Sequence, residues 1–340
     1  MKLTWETFTV QAKHPFKISR SVQESVERVW VRVEAEGQEG WGEADPSPYY
    51  GETAGTVVSA LERMRPVIEA ASDPESLETL ERRLKEAIGH NGSARAAVSA
   101  ALHDLAGKRA GLPLWKLWGL DPSEAPRSSF TIGLDEPDVV RRKVEEAAHY
   151  PILKVKLGTD RDEEILSTIC DAAAPDTVIR VDANAAWTAR EAVERVAMLA
   201  DYGVEFVEQP LHPADLDGYR FLHGRSVLPI IADESCVDSS DVPRLVGLVD
   251  GINIKLAKCG GPREALRMIH AARSCGLSVM MGCMLESSLG IAPAAHLASL
   301  LDYADLDGAA LLAHDPFSGP GLEGAEIRVG EEPGLGVRKA

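Results

Sequence analysis

The sequence predicts an α/β protein in which a (β/α)₈-type barrel follows a smaller α+β unit. The first ground is rhythm. From around Ala125 short apolar strands alternate with helical segments, and the strands end at Thr131, Lys156, Asp182, Glu208, Asp233, Lys255, Gly282 and Asp305. Successive ends lie 25, 26, 26, 25, 22, 27 and 23 residues apart, the length that a strand and its return helix require. The second ground is the chemistry of those ends. Nearly all are polar, and a barrel gathers them at one mouth, whereas an open doubly wound sheet spreads them along an edge. The third is size, since 340 residues accommodate one barrel with an addition.

Taken in order, Leu3 to Gly42 reads as extended, with Val26, Val29, Val31 and Val33 in a strand-like run and turn signals from Gly37 to Gly42. Thr53 to Leu84 reads as helical. Ser93 to Gly107 is an alanine-rich helix that Gly111 and Pro113 close. These elements form an N-terminal α+β unit over residues 1–122, and the alternating units occupy 123–313. The tail, 314–340, is rich in Gly and Pro and is expected to fold back onto the N-terminal unit.

Composition narrows the function classes. A net charge of -17 argues against nucleic acid or an anionic membrane as the main partner, because both require a basic surface. No apolar run reaches membrane-spanning length, and Met1 to Val10 lacks a signal-peptide core. The five cysteines, Cys170, Cys236, Cys259, Cys275 and Cys283, are odd in number and form no CxxC pair. They read as reduced thiols of a cytoplasmic protein rather than a disulfide framework or zinc site. His14, His90, His212 and His314 show no metal-ligand spacing.

Three consecutive strand ends carry acids: Asp182, Glu208 and Asp233. Three clustered anions repel one another unless a cation neutralises them, and an all-oxygen set favours a hard ion such as Mg²⁺. Asn184 and Gln209 could orient the acids. Taken singly, each acid reads more readily as a helix cap or a loop salt bridge, and it is three in succession, each after an apolar strand, that favour a metal site. Lys154 and Lys156 are two apart on one strand and therefore point to the same face, into the barrel. Lys255 ends a strand on the opposite side of the mouth. A lysine beside a divalent cation has its charged form disfavoured, which moves it towards the range of a base. Two opposed lysines could take an α-proton from one face and return it to the other, with the metal holding the enediolate charge. Lys258, three residues after Lys255, is assigned to the surface.

Together, Lys154-Val-Lys156, Asp182-Ala-Asn184, Val207-Glu208-Gln209-Pro210, Ala232-Asp233-Glu234-Ser235 and Asn253-Ile254-Lys255 resemble the enolase superfamily, and more narrowly its muconate-lactonizing-enzyme subgroup. Pro15 to Lys17, Gly40 to Ala44 and the segment His103 to Pro113 match as well. The resemblance implies a (β/α)₇β barrel, a modified TIM barrel, with an N-terminal α+β capping domain completed by the C-terminal tail. It implies one Mg²⁺ per subunit on Asp182, Glu208 and Asp233, and Lys156 and Lys255 as acid/base catalysts. Lys154 would support the substrate carboxylate. A homo-oligomer is expected, as such barrels often are.

Within that subgroup the sequence is most similar to dipeptide epimerases of the L-Ala-D/L-Glu type. Asp305 and Asp307 match the Asp-x-Asp with which that group binds a dipeptide's α-ammonium, and a buried amine does need anionic acceptors. Alternatively these acids are solvated in a turn. Thr131 and backbone groups around Cys283 and Leu285 would face the peptide. Cys283 lacks a histidine partner and reads as a small packed residue. Loops around Ile18 to Glu24 and Pro46 to Glu52 would close as a lid. Arg20 stands near the family's arginine for a glutamate side chain, one residue short of its spacing, while Tyr49 and Tyr50 favour a hydrophobic residue instead. The expected activity is Mg²⁺-dependent dipeptide epimerisation. The alternatives are an N-succinylamino acid racemase, an o-succinylbenzoate synthase or a cycloisomerase of the same subgroup, and then a non-catalytic binding barrel.

Overall fold

The computed structural model describes all 340 residues, Met1–Ala340. Val29, Val31 and Val33 alternate along one strand and are fully buried, as a sheet with one covered face requires. Their strand, β2 (Ser21–Ala35), lies between β1 (Lys2–Ile18) and β3 (Gln38–Ala44) in an antiparallel sheet. The segment expected as a lid loop is instead the tip of the β1–β2 hairpin, where Ile18 pairs with Ser21 and only Ser19 and Arg20 turn. The second lid segment contains a 3₁₀ turn, Pro48–Tyr50.

Helices cover that sheet. The stretch expected to be one helical run is two, α1 (Ala54–Glu69) and α2 (Leu77–Ala87). Asp73 causes the break: its carboxylate accepts from Glu75 N–H at 2.9 Å and from the Ser76 hydroxyl at 2.6 Å, a local bonding pattern that competes with the helix. The alanine-rich helix α3 (Gly92–Ala110) sits so close to β3 that a Cβ at Gly40 or Gly42 would overlap the carbonyls of Ala101 and Ala97. Gly111, at φ 68°, ends it in the left-handed conformation that favours glycine. A short α4 (Leu114–Leu117) leads out of this unit.

The eight expected barrel strands all form. They are β4 (Phe130–Ile132), β5 (Ile152–Lys156), β6 (Val178–Asp182), β7 (Val207–Glu208), β8 (Ile230–Ala232), β9 (Gly251–Ile254), β10 (Ser278–Gly282) and β11 (Tyr303–Asp305), parallel and paired in chain order. Ser128 bridges to Ala304, and Ser129 N–H donates to the Ala304 carbonyl at 3.0 Å, which joins first strand to last. The crossovers are α5 (Pro137–Glu146), α6 (Asp162–Ala172), α7 (Ala189–Asp201), α8 (Leu216–His223), α9 (Val242–Leu245), the pair α10 (Leu256–Cys259) and α11 (Pro262–Ser274), and α12 (Ser288–Leu297). The 4-residue α9 explains the shortest strand interval. After β11 comes only a 3₁₀ turn, Gly308–Leu311, so the architecture is the (β/α)₇β form.

Phe206, Ile231 and Met280 pack together with Tyr303 as a small cluster apart from the main barrel core, and the Arg180 guanidinium lies 5.3 Å from the Phe206 ring and 5.0 Å from the Tyr303 ring. No helix is long and apolar enough to cross a membrane, and all five cysteines are free.

Two sets of contacts tie the first unit to distant parts of the chain. The tail returns to it: Phe317 meets Trp30 edge-on at 4.9 Å, and Leu335 N–H donates to Asp104 at 2.7 Å. A polar seam joins it to the barrel. Arg28 pairs with Asp45 at 2.8 Å and donates twice to the Leu285 carbonyl, at 2.9 and 2.7 Å. Glu43 accepts from Ser287 N–H at 2.8 Å and from its hydroxyl, while Glu286 accepts from Met284 N–H at 2.7 Å. Glu43, Asp45 and Glu286 are all buried.

Candidate active site

The register of the barrel brings the site together. Lys156 of β5 pairs with Asp182 of β6, and Asp182 pairs with Glu208 of β7. Asp233 follows β8, and one oxygen from each of the three acids lies within 4.8 Å of the others. Each acid has essentially no solvent exposure. Two backbone positions are held in the left-handed region, Asn184 at φ 46° and Gln209 at φ 39°, a conformation that persists only where surrounding contacts enforce it. Those contacts serve the acids. Asn184 donates from its backbone to Asp182 at 2.8 Å and from its amide at 3.2 Å. The side-chain Oε1 of Gln209 accepts from Asp233 N–H at 2.8 Å, and Asn253 donates to Glu208 at 2.8 Å.

The lysines enter from two sides. Lys156 donates to Asp182 at 2.6 Å and Lys255 to Asp233 at 2.8 Å. They come from the second and sixth barrel strands, four apart in a ring of eight, and so face each other. Lys154 is within 2.7 Å of Glu208 and 2.8 Å of Asp305. Gly282 makes room for Lys255, since a Cβ there would stand 3.2 Å from the lysine Cε. Lys258 corrects the surface assignment. Its ammonium is fully buried and lies 2.5 Å from Asp233, because one turn of α10 carries it back under the loop that follows β8. Its position after a strand end in an -x-x-K spacing was the available signal.

These charges divide the acids. Burial pushes the Asp182 carboxyl up, but the ammonium groups of Lys156 and Lys154 outweigh it and hold it at about 2. Asp233 is likewise lifted by burial and drawn well below the ordinary range by Lys255 and Lys258. Glu208 is pushed up to about 7 by burial and by the Asp182 charge. Burial lowers the Lys255 pKa, and Asp233 more than restores it, so the lowering expected of a base is not present while that carboxylate is its partner. A cluster of three buried carboxylate oxygens offers the donor set and spacing of a hard divalent cation, and the site fits Mg²⁺ on those grounds.

Asp305 and Asp307 both reach the cavity, and their circumstances differ. Asp305 accepts from Ser129 at 2.7 Å and Lys154 at 2.8 Å. Asp307 accepts from Thr131 N–H at 2.6 Å, with the Cys283 thiol at 3.8 Å, and has no ammonium or guanidinium of its own. Burial and the Asp305 charge push it up to about 7. The Cys283 thiol is pushed well up by burial and by Asp307, which suits a packed residue rather than a nucleophile.

A cavity of about 380 Å³ lies between the barrel mouth and the first unit, lined by Thr131, Lys154, Lys156, Lys255, Cys283, Leu285, Asp305 and Asp307 below and by Phe16, Arg20, Tyr49 and Tyr50 above. Arg20 spans it. From the hairpin tip it donates to the Asn184 carbonyl at 2.9 Å and to Glu234 at 2.5 Å, and it stacks 4.2 Å above the Tyr49 ring. Glu234 and Arg28 had no role in the sequence reading, because their partners are 214 and 257 residues away.

A parallel barrel under an α+β cap, with three carboxylates and facing lysines at its mouth, defines the enolase-like barrels as a class. Residues 138–339 match the enolase C-terminal domain-like family, and residues 2–119 match the mandelate racemase / muconate lactonizing enzyme N-terminal domain, so the chain belongs to that family. The resemblance carried by the strand-end motifs is thereby borne out. The chain is 40% identical to an L-Ala-D/L-Glu epimerase of Bacteroides thetaiotaomicron over all of this chain and 88% of that protein. Its fold is similar to a dipeptide epimerase of Enterococcus faecalis complexed with Mg and L-Leu-L-Tyr, with TM-score 0.93, 35% identity, and 99% and 98% of the two chains covered. It is similar also to a substrate-liganded L-Ala-D/L-Glu epimerase of Bacillus subtilis, with TM-score 0.95, 30% identity, and 100% and 99% covered.

Proposed function

We propose that this protein is a Mg²⁺-dependent dipeptide epimerase that inverts the α-carbon of the C-terminal residue by 1,1-proton transfer. The observation that carries the reading is the pair of buried lysines facing each other across the triad, beside a buried carboxylate, Asp307, that lacks a cation. Asp182, Glu208 and Asp233 would hold Mg²⁺, which when bound supplies positive charge against the negative charge developing on the substrate carboxylate. Lys156 and Lys255 stand on opposite faces of the α-carbon. One, as the free amine, takes the α-proton, and the C–H electron pair moves into the carboxylate. The other, as ammonium, returns a proton to the opposite face. Lys154 adds charge near the same carboxylate.

Asp305 and Asp307 receive the α-ammonium. Asp307 contributes most, because Lys154 already neutralises Asp305. Thr131, Cys283 and Leu285 lie along the peptide. The Leu285 carbonyl is already taken by Arg28, so it is not an acceptor for substrate. Arg20, with Tyr49 and Tyr50, forms the wall against the side chain of the inverted residue. An N-succinylated substrate would bring a carboxylate rather than an ammonium to Asp307, which disfavours the racemase alternative.

The test is a screen of dipeptides with Mg²⁺ in D₂O, read by mass spectrometry, with chiral analysis of the products. A gain of one mass unit at the C-terminal residue, accompanied by inversion, is expected for a subset. Absence of exchange in every dipeptide, from protein shown to bind Mg²⁺, would sink the proposal and direct attention to N-acyl amino acids.

A further inference from the structure

We propose that Lys258 is a positioning residue for the metal centre, holding Asp233 in the place from which it would take the metal. The inference begins with a lysine that has no exposed surface and does not line the catalytic cavity. A buried ammonium is costly unless paired and hydrogen-bonded. Lys258 Nζ finds four acceptors: Asp233 Oδ1 at 2.5 Å, the Asp233 carbonyl at 2.6 Å, the Cys236 carbonyl at 3.0 Å and the Asn253 carbonyl at 2.9 Å. Three belong to the segment that follows β8 and the fourth to β9. One ammonium therefore ties together the two strand ends that carry Asp233 and Lys255.

Its own backbone is held as well. The Lys258 carbonyl is packed so closely under Gly92, at the start of α3, that a Cβ on Gly92 would overlap it. Lys258 is thus fixed against the cap on one side and against Asp233 on the other.

The two lysines, three residues apart, divide Asp233 between them. Lys258 holds Oδ1 and Lys255 holds Oδ2 at 2.8 Å. Lys255 faces the cavity and has to leave Asp233 to reach an α-carbon. Lys258 stays, so the carboxylate keeps a counter-charge and a fixed orientation throughout. Without Lys258, Asp233 would be held only by Lys255, on its other oxygen, and would be less well fixed to receive the metal.

The test uses Mn²⁺ as probe, titrated into the full chain without substrate and followed by the EPR signal of free Mn²⁺. This readout depends on the metal site and not on the dipeptide reading, so either can fail alone. Lys258→Met is expected to weaken Mn²⁺ binding by about 10- to 100-fold, the range found when groups supporting metal ligands are removed. Lys258→Gln retains N–H donors for the carbonyls without the charge, and keeps the test open should the methionine variant not fold. It is expected to lose at least about tenfold. Saturating Mg²⁺ should return the kcat of the folded variant to within about threefold of wild type, since Lys258 touches no substrate. Mn²⁺ affinity within about twofold of wild type in a folded variant would overturn the proposal. So would a kcat loss that excess Mg²⁺ does not recover, because that pattern belongs to a merely structural lysine.

Discussion

The molecule contains two groups of three buried carboxylates, and it treats them in opposite ways. At the barrel mouth, Asp182, Glu208 and Asp233 share four ammonium groups, those of Lys154, Lys156, Lys255 and Lys258. At the seam between cap and barrel, Glu43, Asp45 and Glu286 share one guanidinium, Arg28. Burial pushes all six upward. At the mouth, ammonium charge reverses the push for Asp182 and Asp233. At the seam it does not: burial and neighbouring carboxyls hold Glu43 and Asp45 well above the ordinary range and Glu286 at about 7. The ratio of cations to carboxyls, rather than the presence of an acidic cluster, decides which group is an anionic centre and which is a hydrogen-bonded joint. Asp307 is a third case, a buried carboxyl beside the mouth whose cation would arrive with the substrate.

The largest break in this contrast comes from the lysines. Lys156→Ala or Lys255→Ala should each lower epimerisation about 10²- to 10⁴-fold, the worth of a general acid or base, measured by chiral assay. Each variant should still wash deuterium into the one enantiomer whose face retains its lysine. Equal residual exchange from both enantiomers would remove the two-face arrangement.

Next is Asp307→Asn, which leaves an incoming ammonium without its anion. Loss of one partner from a buried charge pair costs about 2–5 kcal/mol, so kcat/KM for dipeptides should fall about 30-fold or more, chiefly through KM. A change under about threefold would make Asp305 the receptor.

The seam is tested by pH. Glu286 has a folded pKa of about 7, above the ordinary glutamate value. Its contribution to stability is therefore fully present below that ordinary value and is lost as pH rises through about 7. Glu286→Gln has no proton to lose. Unfolding free energies measured from pH 5 to 8 should shift in favour of the variant as pH rises, by on the order of 1–3 kcal/mol across the range. A constant difference would mean that the seam is ionised throughout.

The smallest effect belongs to Arg20, about a third of whose side chain is exposed beside buried Glu234. Arg20→Ala should cost no more than about 1 kcal/mol of stability. Its effect on kcat/KM should be larger for dipeptides ending in an acidic residue than for those ending in an apolar one. A uniform loss across side chains would reduce Arg20 to a latch on the lid.

The mouth was legible in the sequence because a barrel turns spacing into position. Asp182, Glu208, Asp233 and Lys255 each follow an apolar run, and one interval per βα unit fixes where they meet. The seam was not legible. Arg28 lies in a stretch read only as extended and Glu43 in a segment matched to the family without a role, and their partners, Leu285 and Ser287, stand 257 and 244 residues away. No local period connects such pairs. Lys258 was misassigned for a related reason, since its helix is a single turn, Leu256–Cys259, too short to show a buried face by periodicity. The break between α1 and α2 was carried by one aspartate's own hydrogen bonds rather than by hydrophobic pattern.

The return of the tail to the cap sets an order of events during synthesis. The cap's strands and helices are made before the barrel, yet Leu335, which binds Asp104 of α3, and Phe317, which covers Trp30, are made only after it. The nascent cap thus waits, with a buried carboxylate and an indole only partly partnered, while the whole barrel is translated. The lid over the reaction chamber is made before the barrel and sealed only by segments made after it, so a chain that stopped after the barrel would leave the mouth without a finished cover.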